Sequence, residues 1–197
     1  FDGWQGNMRI ARDIIAATVI LSVLVVGNLF AAPDYRVMLK TGDFTPERTR
    51  LSVSAAASAV GDHILIQFEG PVSPSDRERL ASNGIQLLEY IPHYTYTARL
   101  QTTVTPSLMS DFGIRWLDRL QPGQKLSPMI TESGIGPWAY RGDDRVEFLV
   151  VLHEDENTQA WSERFETDLS AEIIGYLPEY GMIEMIVDEM MYFRLSE

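Results

Sequence analysis

The chain has 197 residues, 45% of them hydrophobic, and no cysteine. It therefore carries enough apolar material for packed cores, while disulfides, thiolate chemistry and cysteine-based zinc sites are excluded. Its formal net charge of −12 is uneven: residues 143–197 hold 15 acidic and 3 basic side chains, and residues 1–142 hold 13 of each. A surface this acidic repels phosphate backbones, which argues against nucleic acid as a partner, and its plain role is solvation.

Residues 14–30 contain no charge; Arg9 and Arg12 precede them, and Ala31 and Ala32 follow. Positive, apolar and small residues in that order form the pattern of a secretory signal. The 17-residue run would span about 26 Å as a helix, short of the roughly 30 Å of a bilayer core. Residues 1–32 are accordingly expected to be a signal peptide or a membrane anchor, with membrane contact through residues 14–30 and an extracellular or cell-surface location. Residues 33–61 read as a linker, with small residues at 55–58.

Residues 62–130 read as one small α+β module. Residues 64–68 (Ile-Leu-Ile-Gln-Phe) form a β-rich run. Ser73 offers an N-cap, Pro74 suits the first helical position, and Asn83-Gly84 stops the helix. Residues 85–89 read as a second strand, leading into Tyr90-Ile91-Pro92-His93-Tyr94. Residues 94–100 alternate as a half-buried strand does. Thr105 and Pro106 open a second helix, with Leu108 and Phe112 on one face and Gly113 at its end. Residues 114–117 are a last strand. The order β-α-β-β-α-β is the ferredoxin-like split unit.

Residues 118–142, punctuated by Gly and Pro, read as connecting chain; the linker proper is placed at 131–144. The pattern then repeats over residues 145–197. Residues 146–152 give a strand, and Asn157 caps a helix carrying Trp161, Phe165 and Leu169 at spacing four. Residues 171–175 are the next strand, and Tyr176-Leu177-Pro178-Glu179-Tyr180 matches the earlier Tyr-aliphatic-Pro-x-Tyr turn. Residues 182–187 are a third strand, and Asp188 begins a second helix. No fourth strand follows, so the expectation is a truncated second module whose chain continues past Glu197. The expected fold class is thus α+β: two tandem ferredoxin-like modules after an N-terminal hydrophobic helix.

Four segments resemble the N-terminal pro-region of large archaeal and bacterial subtilisin-like serine peptidases. They are residues 39–46 (Leu-Lys-Thr-Gly-Asp-Phe-Thr-Pro), residues 64–69 with Gly84-Ile85 and Tyr90-Ile91-Pro92, residues 115–128 from Arg115-Trp116-Leu117 to Ser127-Pro128, and residues 146–154. The resemblance implies a propeptide, a folding assistant and inhibitor, whose partner is a downstream protease domain in the same polypeptide. The catalytic signatures of such a protease, Asp-Ser/Thr-Gly, His-Gly-Thr-His and Gly-Thr-Ser-Met, do not occur in the sequence. No catalytic, cofactor-binding or metal residue is therefore assigned, and no cofactor is implied.

Other features have plainer readings. His63, His93 and His153 fit no metal spacing and read as strand-end or turn residues. Asp143-Asp144 and Glu154-Asp155-Glu156 offer oxygen ligands for calcium, but without a loop motif they read as solvated charge. Arg141-Gly142-Asp143 matches an adhesion tripeptide by letters only. The turn tyrosines, Trp116 and Trp161 are expected to be packing residues. A ferredoxin-like unit leaves one sheet face open for a partner's helices, and residues 121–130 could enter a cleft as an extended strand. The competing reading is a membrane-tethered cell-surface structural or adhesion module. A third is a ligand-binding regulatory pair, for which the sequence offers no convergent polar signature.

Overall fold

The computed structural model describes residues 33–48, 60–142 and 144–196. The expected signal or anchor, residues 1–32, lies outside them. Among the described residues no helix is long and apolar enough to cross a membrane. Residues Tyr35–Glu197 form one compact unit. It is a mixed α+β structure built on antiparallel sheets.

A two-stranded hairpin, β1 (Val37–Leu39) and β2 (Gly42–Phe44), opens the described chain. Then come β3 (His63–Phe68), α1 (Pro74–Ser82), β4 (Ile85–Ile91), β5 (Thr95–Leu100), α2 (Pro106–Phe112) and β6 (Ile114–Arg119). The helix starts follow the expected chemistry. Ser73 accepts from the Asp76 amide and Thr105 from the Leu108 amide, each ahead of a proline at the first position. Gly113 ends α2 in the left-handed region, at φ 62°. The strands lie in the order β4-β5-β3-β6.

Alternation along the strands decides the two faces. Ile64, Ile66, Phe68, Ile85, Leu87, Ala98, Leu100 and Ile114 form one core with Leu80 of α1, and Leu108 and Phe112 of α2 pack against it. His63, Leu65 and Gln67 project from the opposite face of β3, beside their partners Arg99, Thr97 and Thr95 on β5. This second face is not open, contrary to expectation. Residues 35–48 lie over it: Val37 is fully buried, Phe44 meets Trp116 edge-on at 5.7 Å, and the Arg115 guanidinium stacks on Tyr35 at 4.3 Å. Trp116, opposite Gln67 in the sheet, thus packs under the hairpin and not among the core residues.

The connecting chain is also more regular than expected. It holds two short helices, α3 (Pro122–Lys125) and α4 (Pro128–Ser133), and a 3-10 turn, Pro137–Ala139. Residues 121–130 are therefore largely helical and do not form an extended strand.

The second sheet contains β7 (Arg145–Val151), β8 (Glu172–Leu177) and β9 (Met182–Asp188) in the order β7-β9-β8, with α5 (Thr158–Leu169) between β7 and β8. Asn157 caps α5 by accepting from the Ala160 amide. Phe165, Leu169, Ala171, Ile183, Met185 and Val187 form its core, and Trp161 packs against them. The sheet repeats the β3-β5-β4 arrangement. The position that β6 occupies beside β3 corresponds to the outer edge of β7, where Tyr140 makes a bridge to Val146. A 3-10 segment, Glu189–Ser196, ends the described chain.

The two proline turns have different backbones. Pro178–Tyr180 is a 3-10 turn closed by Gly181 at φ 61°. In the first turn His93 and Tyr94 themselves take φ values of 64° and 62°. Two adjacent left-handed residues match the right-handed twist of a hairpin, a geometry usually given to Asn and Gly. The tyrosines at these turns divide: Tyr94 packs on the first core, whereas Tyr90, Tyr176 and Tyr180 are more than half exposed. The expectation that all of them are packing residues is corrected accordingly.

Candidate functional site

The second face of the β3–β5 pair carries polar groups at both ends, and each end is a site. At one end stands Gln67, which has no solvent exposure. A buried amide must satisfy both its oxygen and its nitrogen. Gln67 Nε2 donates to the Tyr35 carbonyl at 3.0 Å, the His93 carbonyl at 3.2 Å and Thr95 Oγ1 at 3.1 Å. Its Oε1 accepts from Arg115 Nη1 at 3.0 Å, and the same nitrogen donates to the Pro46 carbonyl at 2.9 Å. One side chain thus ties together the N-terminal segment, the strained turn and β6. Its chemistry is fully consumed by structure.

The other end carries the only group of three potential metal-ligating side chains found among the described residues. His63 opens β3, and Arg99 is its cross-strand neighbour on β5. The loop between β7 and α5 brings His153, Asp155 and Glu156 against them. His63 Nε2 lies 2.7 Å from Asp155 Oδ1, and His63 Nδ1 lies 3.7 Å from Glu156 Oε1. Arg99 Nη1 donates to Asp155 Oδ2 at 2.9 Å and Glu156 Oε1 at 3.2 Å. Trp161 Nε1 donates to Glu156 Oε2 at 2.8 Å. The His63 and His153 rings are stacked, 4.1 Å apart and 19° from parallel.

The environment sets the charges. Burial alone would raise the Asp155 carboxyl, yet the His63 and Arg99 contacts hold it below the ordinary carboxylate range. Burial and the neighbouring His63 push the His153 imidazole below its ordinary value, against the opposing fields of Glu89, Asp155 and Glu156. No buried side-chain polar atom among the described residues lacks a partner.

This arrangement restricts the chemistry. Both nitrogens of His63 face carboxylates, so neither is left to take a proton from a nucleophile, and the His63–Asp155 pair is not a catalytic dyad. Nor is the cluster assigned as a metal centre. The Arg99 guanidinium already supplies positive charge to both carboxylates, and His63, Arg99 and Trp161 between them contact all four carboxylate oxygens of Asp155 and Glu156. What the geometry provides is a polar contact that joins the two sheets.

Of the residues singled out from sequence, the structure brings together His63, His153, Asp155 and Glu156. His93 lies in the proline turn at the other end of the face, and Asp144 near the start of β7. Asp143 lies outside the described residues. Arg99 had no sequence signal beyond its place on an alternating strand. The 92-residue separation of His63 and Asp155 hides the pair from any motif.

Residues 38–121 match a family described as a domain of unknown function, DUF8729. The match begins within β1, runs through β6 and stops before the second sheet. No curated protein and no solved structure matches the chain.

Proposed function

We propose that the chain is a non-catalytic pro-region, a folding assistant and inhibitor of a subtilisin-like serine endopeptidase, built from two tandem ferredoxin-like modules. The observation that carries this reading is the topological repeat. The first sheet runs fourth-first-third-second in its own strand order, with both helices packed on one face. The second sheet repeats the first three of these strands in the same order, with the same Tyr-aliphatic-Pro-x-Tyr sequence between the second and third. The pro-region resemblance of residues 39–46, 64–69, 115–128 and 146–154 supplies the function class, which fold alone does not.

In this reading the second module is the one that meets a partner. Residues 35–48 cover the free face of the first sheet. On the second sheet Leu149, Val151 and Leu177 alternate away from the core and are at least half exposed. The test is inhibition. The purified chain is titrated into a panel of subtilisin-like peptidases hydrolysing a chromogenic peptide, with chymotrypsin as control. Saturable inhibition of at least one subtilisin-like enzyme, sparing chymotrypsin, supports the reading; inhibition of none of them refutes it.

One observation favours a second reading, a cell-surface structural or adhesion module tethered through residues 14–30. The first module keeps its sheet face occupied by its own chain, as a spacer can and a two-headed inhibitor does not. Retention of the chain at the cell surface, together with failure of the inhibition assay, would select it.

A further inference from the structure

We propose that Glu184 is the residue by which the exposed face of the second sheet selects its partner, and that the protein surface seated there presents a lysine or arginine ringed by apolar side chains. The proposal rests on the reading that this face meets a partner, and it adds the chemistry of that partner.

The register of the sheet places the residue. Ile183, Met185 and Val187 of β9 belong to the core, so Met182, Glu184 and Ile186 lie on the opposite face. Cross-strand pairing sets Glu184 between Leu149 of β7 and Gly175 of β8, and the neighbouring row is Val151, Met182 and Leu177. Glu184 is thus an exposed carboxylate on an otherwise apolar patch. Gly175 leaves the carboxylate room to lie along the sheet, because a Cβ there would stand 3.2 Å from Glu184 Oε2. The other acids of this face are neutralised within the chain. Glu147 pairs with Arg141 at 2.6 Å, Glu172 pairs with Arg145 at 3.1 Å, and Asp188 lies 3.9 Å from the same guanidinium. Glu184 has no such basic partner among the described residues.

That difference sets the specificity. Seating apolar surface on Leu149, Val151 and Leu177 also takes water from the carboxylate beside them. An ionised carboxylate withdrawn from water without a partner is costly, and a cation within hydrogen-bonding reach offsets that cost. The face therefore rejects a wholly apolar or acidic surface and accepts one that carries a matching cation; attraction to one and rejection of the other is what discrimination requires. A second copy of this chain does not fit. Face to face, it would oppose two such carboxylates and two modules that each carry the −12 excess.

Synthetic helical peptides of leucine, alanine and glutamine, identical except for a central arginine, norleucine or glutamate, are the probes. Their binding to the full chain is followed through the methyl resonances of Leu149, Val151 and Leu177. The arginine peptide should bind more tightly than the norleucine peptide by about tenfold or more, and the glutamate peptide should bind most weakly. The Glu184→Gln variant should lose the preference for arginine and bind the norleucine peptide more tightly than the parent chain does. Equal binding of the arginine and norleucine peptides by the parent, binding of none of them, shifts that spare these three methyl-bearing residues, or an unchanged preference in Glu184→Gln overturns the proposal. Peptidase inhibition is measured separately, so the two readings fail independently. Inhibition without discrimination among the peptides removes the role of Glu184 and leaves the pro-region reading standing. Discrimination without inhibition keeps the cation-selective face and removes the peptidase as its partner.

Discussion

Gln67 carries no exposed atom, yet it makes four hydrogen bonds to three parts of the chain. Replacing it with leucine keeps the volume but takes the donor from the Tyr35 and His93 carbonyls and one of two acceptors from Arg115, which keeps the Pro46 carbonyl. A buried group left unpaired costs about 1–3 kcal/mol, so Gln67→Leu should lower the urea midpoint by an amount in that range. It should also loosen the strained His93-Tyr94 turn, seen as faster amide exchange there. Tyr90 makes the opposite case. It shares the aromatic turn with Tyr94 but is 58% exposed, and its ring meets Tyr96 edge-on. Tyr90→Ala should cost at most about 1 kcal/mol, against about 2–5 kcal/mol for Leu80→Ala in the core. Comparing the two midpoints checks the burial assignment directly.

Elements whose ends are set by local chemistry were legible in the sequence. Thr105 reaches the Leu108 amide at 3.2 Å, so Thr105→Ala should destabilise the protein by about 1 kcal/mol in thermal unfolding. Gly113 sits at φ 62°, and a Cβ there would stand 3.9 Å from Glu69 Cβ, an ordinary contact. The cost of Gly113→Ala is then backbone strain alone, about 1–2 kcal/mol. The β-rich run at 64–68 and the alternation of residues 94–100 likewise gave the strands. The short helices of the connecting chain are hidden for a definite reason. Pro122, Pro128 and Pro137 read as breakers in the sequence, whereas each occupies the opening turn of a short helix, where a missing N–H costs nothing. The β4 bulge was not legible either. It is held by Arg77, which donates to the Leu87 and Leu88 carbonyls, and by Thr97, which accepts from the Glu89 amide. Nothing in the local sequence announces those partners.

At the scale of the molecule, the candidate site exists only because two segments 92 residues apart meet, and no local pattern encodes that meeting. His63 showed in the sequence only as a strand-end residue, and Arg99 only by its place on an alternating strand. The contact also means that the connecting chain does not by itself uncouple the modules. The charge distribution adds a separate consequence. Residues 143–197 carry the whole −12 excess, whereas residues 1–142 are neutral. Mutual repulsion therefore burdens the second module alone. Salt shortens the screening length from about 30 Å at 0.01 M to about 3 Å at 1 M. It acts strongly on exposed carboxylates and weakly on the half-buried Asp155–Arg99 contact. Single-tryptophan variants retaining Trp116 or Trp161 report the two modules separately. The thermal midpoint seen by Trp161 should rise between these salt concentrations, and that seen by Trp116 should move less. The exposed pairs Arg145–Glu172 and Arg164–Asp168 oppose this trend, but such pairs contribute at most about 1 kcal/mol each. They are outnumbered by carboxylates without a basic neighbour in sequence, since residues 143–197 hold five acids for every base. A fall in the Trp161 midpoint with added salt would show that the ion pairs, and not the repulsion, govern the second module.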